Sequence, residues 1–314
     1  MTTTKRPDPG TAMTMRRRTG ILLALGTACI SGVSVYLNSY GVKAFGNPTA
    51  FTTAKNVVAA LILLALVAGG RRYGARLTRP RSAGQWAGLA AVGVIGGSVP
   101  FVLFFEGLAR STSPQAAFLH KTLVLWVALL AMVVLGERLQ WGHWLAIGLL
   151  VVGQIGLAGG TPGGIGGPEL MILGATLLWA VEVVVAKILL TDLSSWTVSA
   201  ARMVLGSLVL LGWVAVRGNL SLLTSLTGEQ IGWVLLTGTL LAGYVATWFA
   251  ALQRAHAIDV TAVLVLAAPI TAALSTSFDG TPLHVGWLLV LLAGGALAGW
   301  LGWRRRPEVV AVRA

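Results

Sequence analysis

Acidic residues are scarce in this chain. Ten Asp and Glu stand against 23 Lys and Arg in 314 residues, and charged residues together make up only 11%. A soluble domain carries about 25%, so the shortage excludes an ordinary soluble enzyme or scaffold. Cysteine is nearly absent: Cys29 stands alone and excludes an intrachain disulfide framework. The four histidines, His120, His143, His256 and His284, fall in different helices or loops, and no HExxH, GxSxG or Cys/His cluster occurs. No metal or cofactor is therefore expected, and an intramembrane enzyme built on His120 and Glu106 is the least favoured reading. The glycines of TPGGIGGPE (161–169) lack the strand before and the Lys-Ser/Thr after that a phosphate loop needs. Long polar segments are missing too, which argues against a receptor with soluble domains.

Apolar residues fill the space the charges leave: 56% of the chain, with a mean hydropathy of +0.81. One membrane crossing takes about 20 such residues. Apolar runs between polar or Gly/Pro punctuation predict ten helices, at 19–37, 49–69, 84–109, 113–135, 141–159, 169–190, 196–216, 230–252, 258–278 and 283–303. The fold class expected is an all-α integral membrane protein with the lipid bilayer as its solvent. Residues 1–18 read as a disordered basic tail and 304–314 as a basic C-terminal tail. The apolar run after Arg16, Arg17 and Arg18 reads as an uncleaved first helix, because many spans follow it.

The excess of positive charge sits at helix ends. Sixteen Lys and Arg, among them Arg16, Arg17, Arg18, Arg76, Arg79, Arg81, Arg138 and Arg254, fall on the side that holds the N-terminus; only Lys43, Arg110 and Arg217 fall on the other. The side rich in Lys and Arg is the cytoplasmic one, so both termini are expected inside the cell membrane. The basic balance then reports topology, and no nucleic-acid partner is expected.

The chain also repeats itself. FFEGLARSTSPQAAF (104–118) aligns with WFAALQRAHAIDVTA (248–262), LGERLQWG (135–142) with DGTPLHVG (279–286), and AFTTAKNVVAALILL (50–64) with TVSAARMVLGSLVLL (197–211). Two halves follow, 19–160 and 169–303, joined by a Gly/Pro linker at 161–168. Five helices per half is an odd number, so the second half is expected to be inverted relative to the first.

The junction GLARSTSPQAA (107–117), LGERL (135–139) and the paired five-helix pattern resemble the drug/metabolite transporter superfamily of the type built from two EamA repeats. The resemblance covers residues 20 to 303. It implies a path for a small-molecule substrate between the repeats, and export or exchange of small metabolites. One departure stands out: Gly280-Thr281-Pro282 replaces a second Gly-Glu-Arg. Whatever Glu137 does in the first repeat, a capping or surface role being expected, is absent from the second.

Ionisable residues inside an apolar span are costly and tend to face a cavity or a partner. Here they are Lys55, Glu106, His120, Lys121, Glu182, Lys187 and Arg202. Ser113-Pro114 reads as the N-cap and first proline of the fourth helix. At about 1.5 Å per residue, Lys55, His120 and Lys121 then lie some 10–12 Å below the outer surface. Glu106 has Lys55, Lys121 and Arg110 as candidate partners, and Glu182 has Arg202 and Lys187. In the second repeat Glu106, His120 and Lys121 are replaced by Ala250, Leu264 and Val265, while Lys55 becomes Arg202. That asymmetry points to function rather than folding. Lys121, His120, Lys55, Glu106 and Arg202, with Trp126, form the candidate substrate site. Glu182, aligned with Ser34, is the candidate for proton or cation coupling. Snorkelling to the surface is the competing reading for Lys55, Arg202 and Lys187.

Alternating access around an anion site predicts a substrate such as an amino acid or organic acid. The alternative is a proton-coupled exporter of cationic or hydrophobic compounds. Pro100 and Pro269 are expected to kink their helices and free a backbone carbonyl, and the Gly93/Gly97 spacing predicts a close helix contact.

Overall fold

The computed structural model describes residues 9–70, 75–108, 110–111, 119–157 and 166–304, apart from the side chains of 9–11. The predicted cap at Ser113-Pro114, most of the 161–168 linker, and the basic residues Lys5, Arg6, Arg71, Arg72, Arg305, Arg306 and Arg313 lie outside them. Among the described residues there are helices and no strands.

We number the main helices α1 (Pro9–Phe45), α2 (Pro48–Gly69), α3 (Ala83–Leu108), α4 (Leu119–Val134) and α5 (Trp141–Leu157). The second half supplies α6 (Gly167–Leu189), α7 (Ser195–Val216), α8 (Gly228–Leu252), α9 (Ala257–Asp279) and α10 (Val285–Arg304). Among the described residues, eight are long and apolar enough to cross a membrane; the apolar α4 and α5 are shorter.

One expectation is corrected at the N-terminus. Helix α1 includes residues 9–18, which are helical rather than a disordered tail. Its arginines have partners to hold it: Arg16 donates to the Gln253 carbonyl, Arg17 to the Trp303 carbonyl, and the Arg18 guanidinium lies over the Trp303 ring. These contacts also put the start of α1 and the end of α10 at one end of the bundle, called the terminal end below; the opposite end is the far end.

The packing repeats under exchange of the halves. Helix α1 lies on α8 as α6 lies on α3, and α8 on α2 as α3 on α7; α2 pairs with α7, α4 with α9, and α5 with α10. Local breaks repeat as well. Helix α4 is interrupted at Thr122, whose N–H reaches back only to Leu119, and α9 at Leu266, whose N–H reaches Val263. Both then end on a left-handed glycine, Gly136 at φ 65° and Gly280 at φ 69°, the conformation a helix C-terminus asks of glycine.

Helix α3 departs from this symmetry. Residues Val92–Gly96 form a π turn, one residue wider than an α turn, and Pro100 follows one turn later. Pro100 has no N–H to give the Gly96 carbonyl, which is therefore free for side chains, as predicted. The predicted small-residue contact is here too: a Cβ on Gly97 would stand 2.4 Å from the Arg202 carbonyl, and one on Gly206 would stand 2.7 Å from the Gly97 Cα.

Candidate functional site

Arg202, on α7, is 6% exposed and bonds to two other helices. Its Nε donates to Glu182 Oε1 of α6 at 2.6 Å, and its terminal nitrogen donates to the Gly96 carbonyl of α3 at 2.9 Å. Trp179 Nε1 donates to the same carbonyl at 3.1 Å. A buried guanidinium is tolerable only when paired and hydrogen-bonded, and the π turn with Pro100 supplies the second acceptor. Of the two candidate partners for Glu182, the structure selects Arg202. Gly96 leaves the room: a Cβ there would stand 2.1 Å from the Glu182 carboxyl carbon.

Lys55, the equivalent of Arg202 in the first half, is built differently. It is 4% exposed and does not snorkel; Nζ donates to Asn38 Oδ1 at 3.2 Å and lies 5.0 Å from the Phe51 ring and 5.9 Å from the Phe105 ring. Asn38, rather than Ser34, thus occupies the place that Glu182 has in the second half. One half carries a neutralised Arg–Glu pair; the other carries a lysine on a neutral amide. Among the described residues no carboxylate lies within ion-pair distance of Lys55 or Lys121.

From Phe105 a chain of rings runs to the other candidates. Phe105 meets Phe104 at 5.5 Å, Phe104 meets His120 at 5.2 Å and Trp179 at 5.8 Å, and His120 meets Trp179 at 5.0 Å. His120 Nδ1 is buried with no hydrogen-bond partner among the described residues. His120 and Lys121 sit directly before the break in α4 and are partly exposed. Lys55, His120 and the Glu182–Arg202 pair therefore share one seam, linked by rings from α3 and α6, and Lys121 follows His120 in the chain. A cleft of about 140 Å³ opens beside it at the far end, between Asn47, Phe105, Glu106 and Arg217.

Two candidates stand apart. Glu106 pairs with Arg110 one turn on, at 2.6 Å, and not with either lysine. Trp126 turns its indole N–H onto Thr122 Oγ1 at 3.1 Å, across the break in its own helix. Phe104, Asn38 and Gly96 were not among the predicted site residues; the Phe104-Phe105 pair and Pro100 were the available signals. The Lys187 ammonium reaches the terminal end, where the Leu252 and Ala255 carbonyls at the end of α8 hold it.

The terminal end holds a second polar cluster. The left-handed turn at Gly136 aims Glu137 across the seam, where its carboxylate accepts the Ala257 N–H at 2.8 Å and the Ile258 N–H at 3.2 Å. This is the capping role expected of Glu137, exerted on a helix of the other half: α9 begins with free N–H groups and a partial positive charge. His256 Nδ1 lies 3.5 Å from the same carboxylate. Burial alone would push the Glu137 carboxyl up, but His256 and the two N–H groups outweigh it and hold the group below the usual carboxylate range. Beside it, His143 Nε2 of α5 lies 3.3 Å from Asp259 Oδ1 of α9, with both side chains buried.

Paired five-helix halves with charged groups held in a membrane-embedded seam define a class of protein: a membrane transporter for small molecules. The model of the EamA-like transporter family matches residues 18–159 and again 167–302, and the chain belongs to that family. A crystal structure described only as that of a protein is similar over 94% of this chain and 98% of its own, with a TM-score of 0.68 and 17% identity, which shows a shared fold. No curated protein matches.

Proposed function

We propose that this protein is a secondary transporter that moves a small carboxylate-bearing metabolite, amino acid-like or organic acid-like, across the cytoplasmic membrane by alternating access, as an exporter or exchanger. The observation that carries this reading is the contrast between the halves. Arg202 is neutralised by Glu182, whereas Lys55 is buried against Asn38 and Lys121 stands at a helix break with no carboxylate at ion-pair distance among the described residues. An unpaired ammonium in an apolar seam is costly; an anionic substrate would relieve that cost, and the rings of Phe104, Phe105 and Trp179 suit its apolar body. Interrupted helices at a repeat interface are where such transporters bind substrate.

The topology we propose has ten crossings, α4 and α5 included, in two inverted halves of five. The terminal end is cytoplasmic because Arg16, Arg17, Arg18, Arg138, Arg254 and Arg304 lie there. Glu182 remains the candidate coupling residue of the alternative, a proton-coupled exporter of cations or lipophiles. Its 2.6 Å bond to Arg202 favours the anion reading instead.

Thermal stability of the purified protein against a panel of carboxylates, amines and lipophiles tests the choice. A ligand at 100 times its Kd stabilises by about 2.7 kcal/mol. Stabilisation by carboxylates that is lost in Lys121→Ala or Lys55→Met supports the anion site. Stabilisation by amines or lipophiles that survives both substitutions overturns it.

A further inference from the structure

Two of the four histidines meet carboxylates at the terminal end, and each pair crosses the seam in the opposite sense. Glu137 of the first half faces His256 of the second; His143 of the first faces Asp259 of the second. The link between the pairs is the 135–140 loop. Gln140 N–H donates to His143 Nδ1 at 3.2 Å, and three residues earlier the same loop presents Glu137 to the start of α9. Because Nδ1 accepts, the imidazole in this closed arrangement is neutral and carries its proton on Nε2, toward Asp259.

We propose that His143 is a proton-binding site that opens the terminal-end gate. A proton added at Nδ1 leaves that nitrogen with no lone pair for the Gln140 N–H; the Asp259 carboxylate, 3.3 Å from Nε2, stabilises the resulting imidazolium by its charge. The Gln140 N–H must then move away, and the loop withdraws Glu137 from α9. The cap that ties the two halves together is lost, and the seam opens at this end. What the open gate admits rests on the transport reading; the response to protons does not.

Every element packed here contributes charge. Helix α1 brings Arg16 and Arg17, on the Gln253 and Trp303 carbonyls. Helix α6 brings Lys187, which feels Glu137, Arg16 and Asp259. The loop before α9 brings Arg254, on the Ala250 carbonyl, and His256; the 135–140 loop brings Arg138, and α10 ends with Arg304 over Trp300. The sign follows from geometry. Glu137 is held below the usual carboxylate range, so its tie persists above that range and is lost only in strong acid. Protonation of His143 at Nδ1 is the event that removes the acceptor of the Gln140 N–H. His256 acts in the opposite direction, because its protonation strengthens the hold on Glu137.

The test is the distance between spin labels across the gate, in the full chain in lipid nanodiscs with Cys29→Ser. Labels go on Trp141→Cys and Thr191→Cys, both exposed at the terminal end. Acidification from about pH 8 to pH 5.5 spans the imidazole range and should shift the distribution toward longer distances. His143→Gln should abolish the shift, Glu137→Gln should give the long population at every pH, and His256→Gln should enlarge the shift. His284→Gln, at the far end, should change nothing. A pH-independent wild-type distribution, or an unchanged shift in His143→Gln, overturns the proposal. If His143→Gln does not fold, an unchanged or smaller shift in His256→Gln overturns it as well. None of these readings needs a substrate, so a failed ligand panel and a failed gate are separate results.

Discussion

Lys55 and Arg202 hold equivalent places in the two halves, and their surroundings predict opposite responses to substitution. Removing one member of a buried, hydrogen-bonded ion pair leaves the other unpaired, at a cost of about 3–5 kcal/mol. Glu182→Gln should therefore lower the melting temperature markedly. Lys55→Met removes a cation that has only Asn38 and two rings around it, and should leave stability unchanged or raise it while weakening substrate binding. Thermal melts of both variants, with and without the ligand found in the panel, check the contrast. Gly96→Ala belongs with the first group: its methyl would overlap the Glu182 carboxylate, and the melt should fall by about 1–3 kcal/mol, as in other overpacked sites. At this scale the sequence showed which residues were ionisable and misplaced in an apolar run. It offered Glu106 three partners, with Arg110 one turn on among them, without choosing, and it did not show that Asn38 would face Lys55, because partners across helices depend on rotation and register that hydropathy does not encode.

Among the elements, α3 and α7 approach closely, with Gly97 against Gly206. Gly206→Leu should separate them and pull Arg202 away from the Gly96 carbonyl. Loss of ligand-induced stabilisation with the helical signal retained is the expected outcome, read by circular dichroism alongside the melt. Helix positions were legible because long apolar runs with Gly/Pro punctuation dominate this chain, and the predicted α3, 84–109, begins within one residue of the observed start at Ala83. The π turn was not legible. Pro100 announces a missing hydrogen bond, yet the extra residue in the turn depends on Arg202 and Trp179 waiting for the carbonyl. That residues 9–18 are helical was missed for a related reason: three arginines read as a tail until the carbonyls of Gln253 and Trp303 are placed beside them.

For the whole molecule, the repeats in the sequence anticipated the exchange symmetry of the packing, and the family match confirms both repeats. The cluster at the terminal end was invisible in one dimension. LGERL and the histidines were each noted, but nothing local says that Glu137 serves a helix more than a hundred residues away. The same long reach bears on how the chain is made. Arg16 and Arg17 emerge from the ribosome early, and their acceptors, on Gln253 and Trp303, come much later, the second on the final helix. Helix α1 is thus satisfied only once α10 is in place. Until α10 arrives, the growing bundle has an unclosed basic flank at the terminal end, so the synthesis of α10 doubles as an assembly checkpoint.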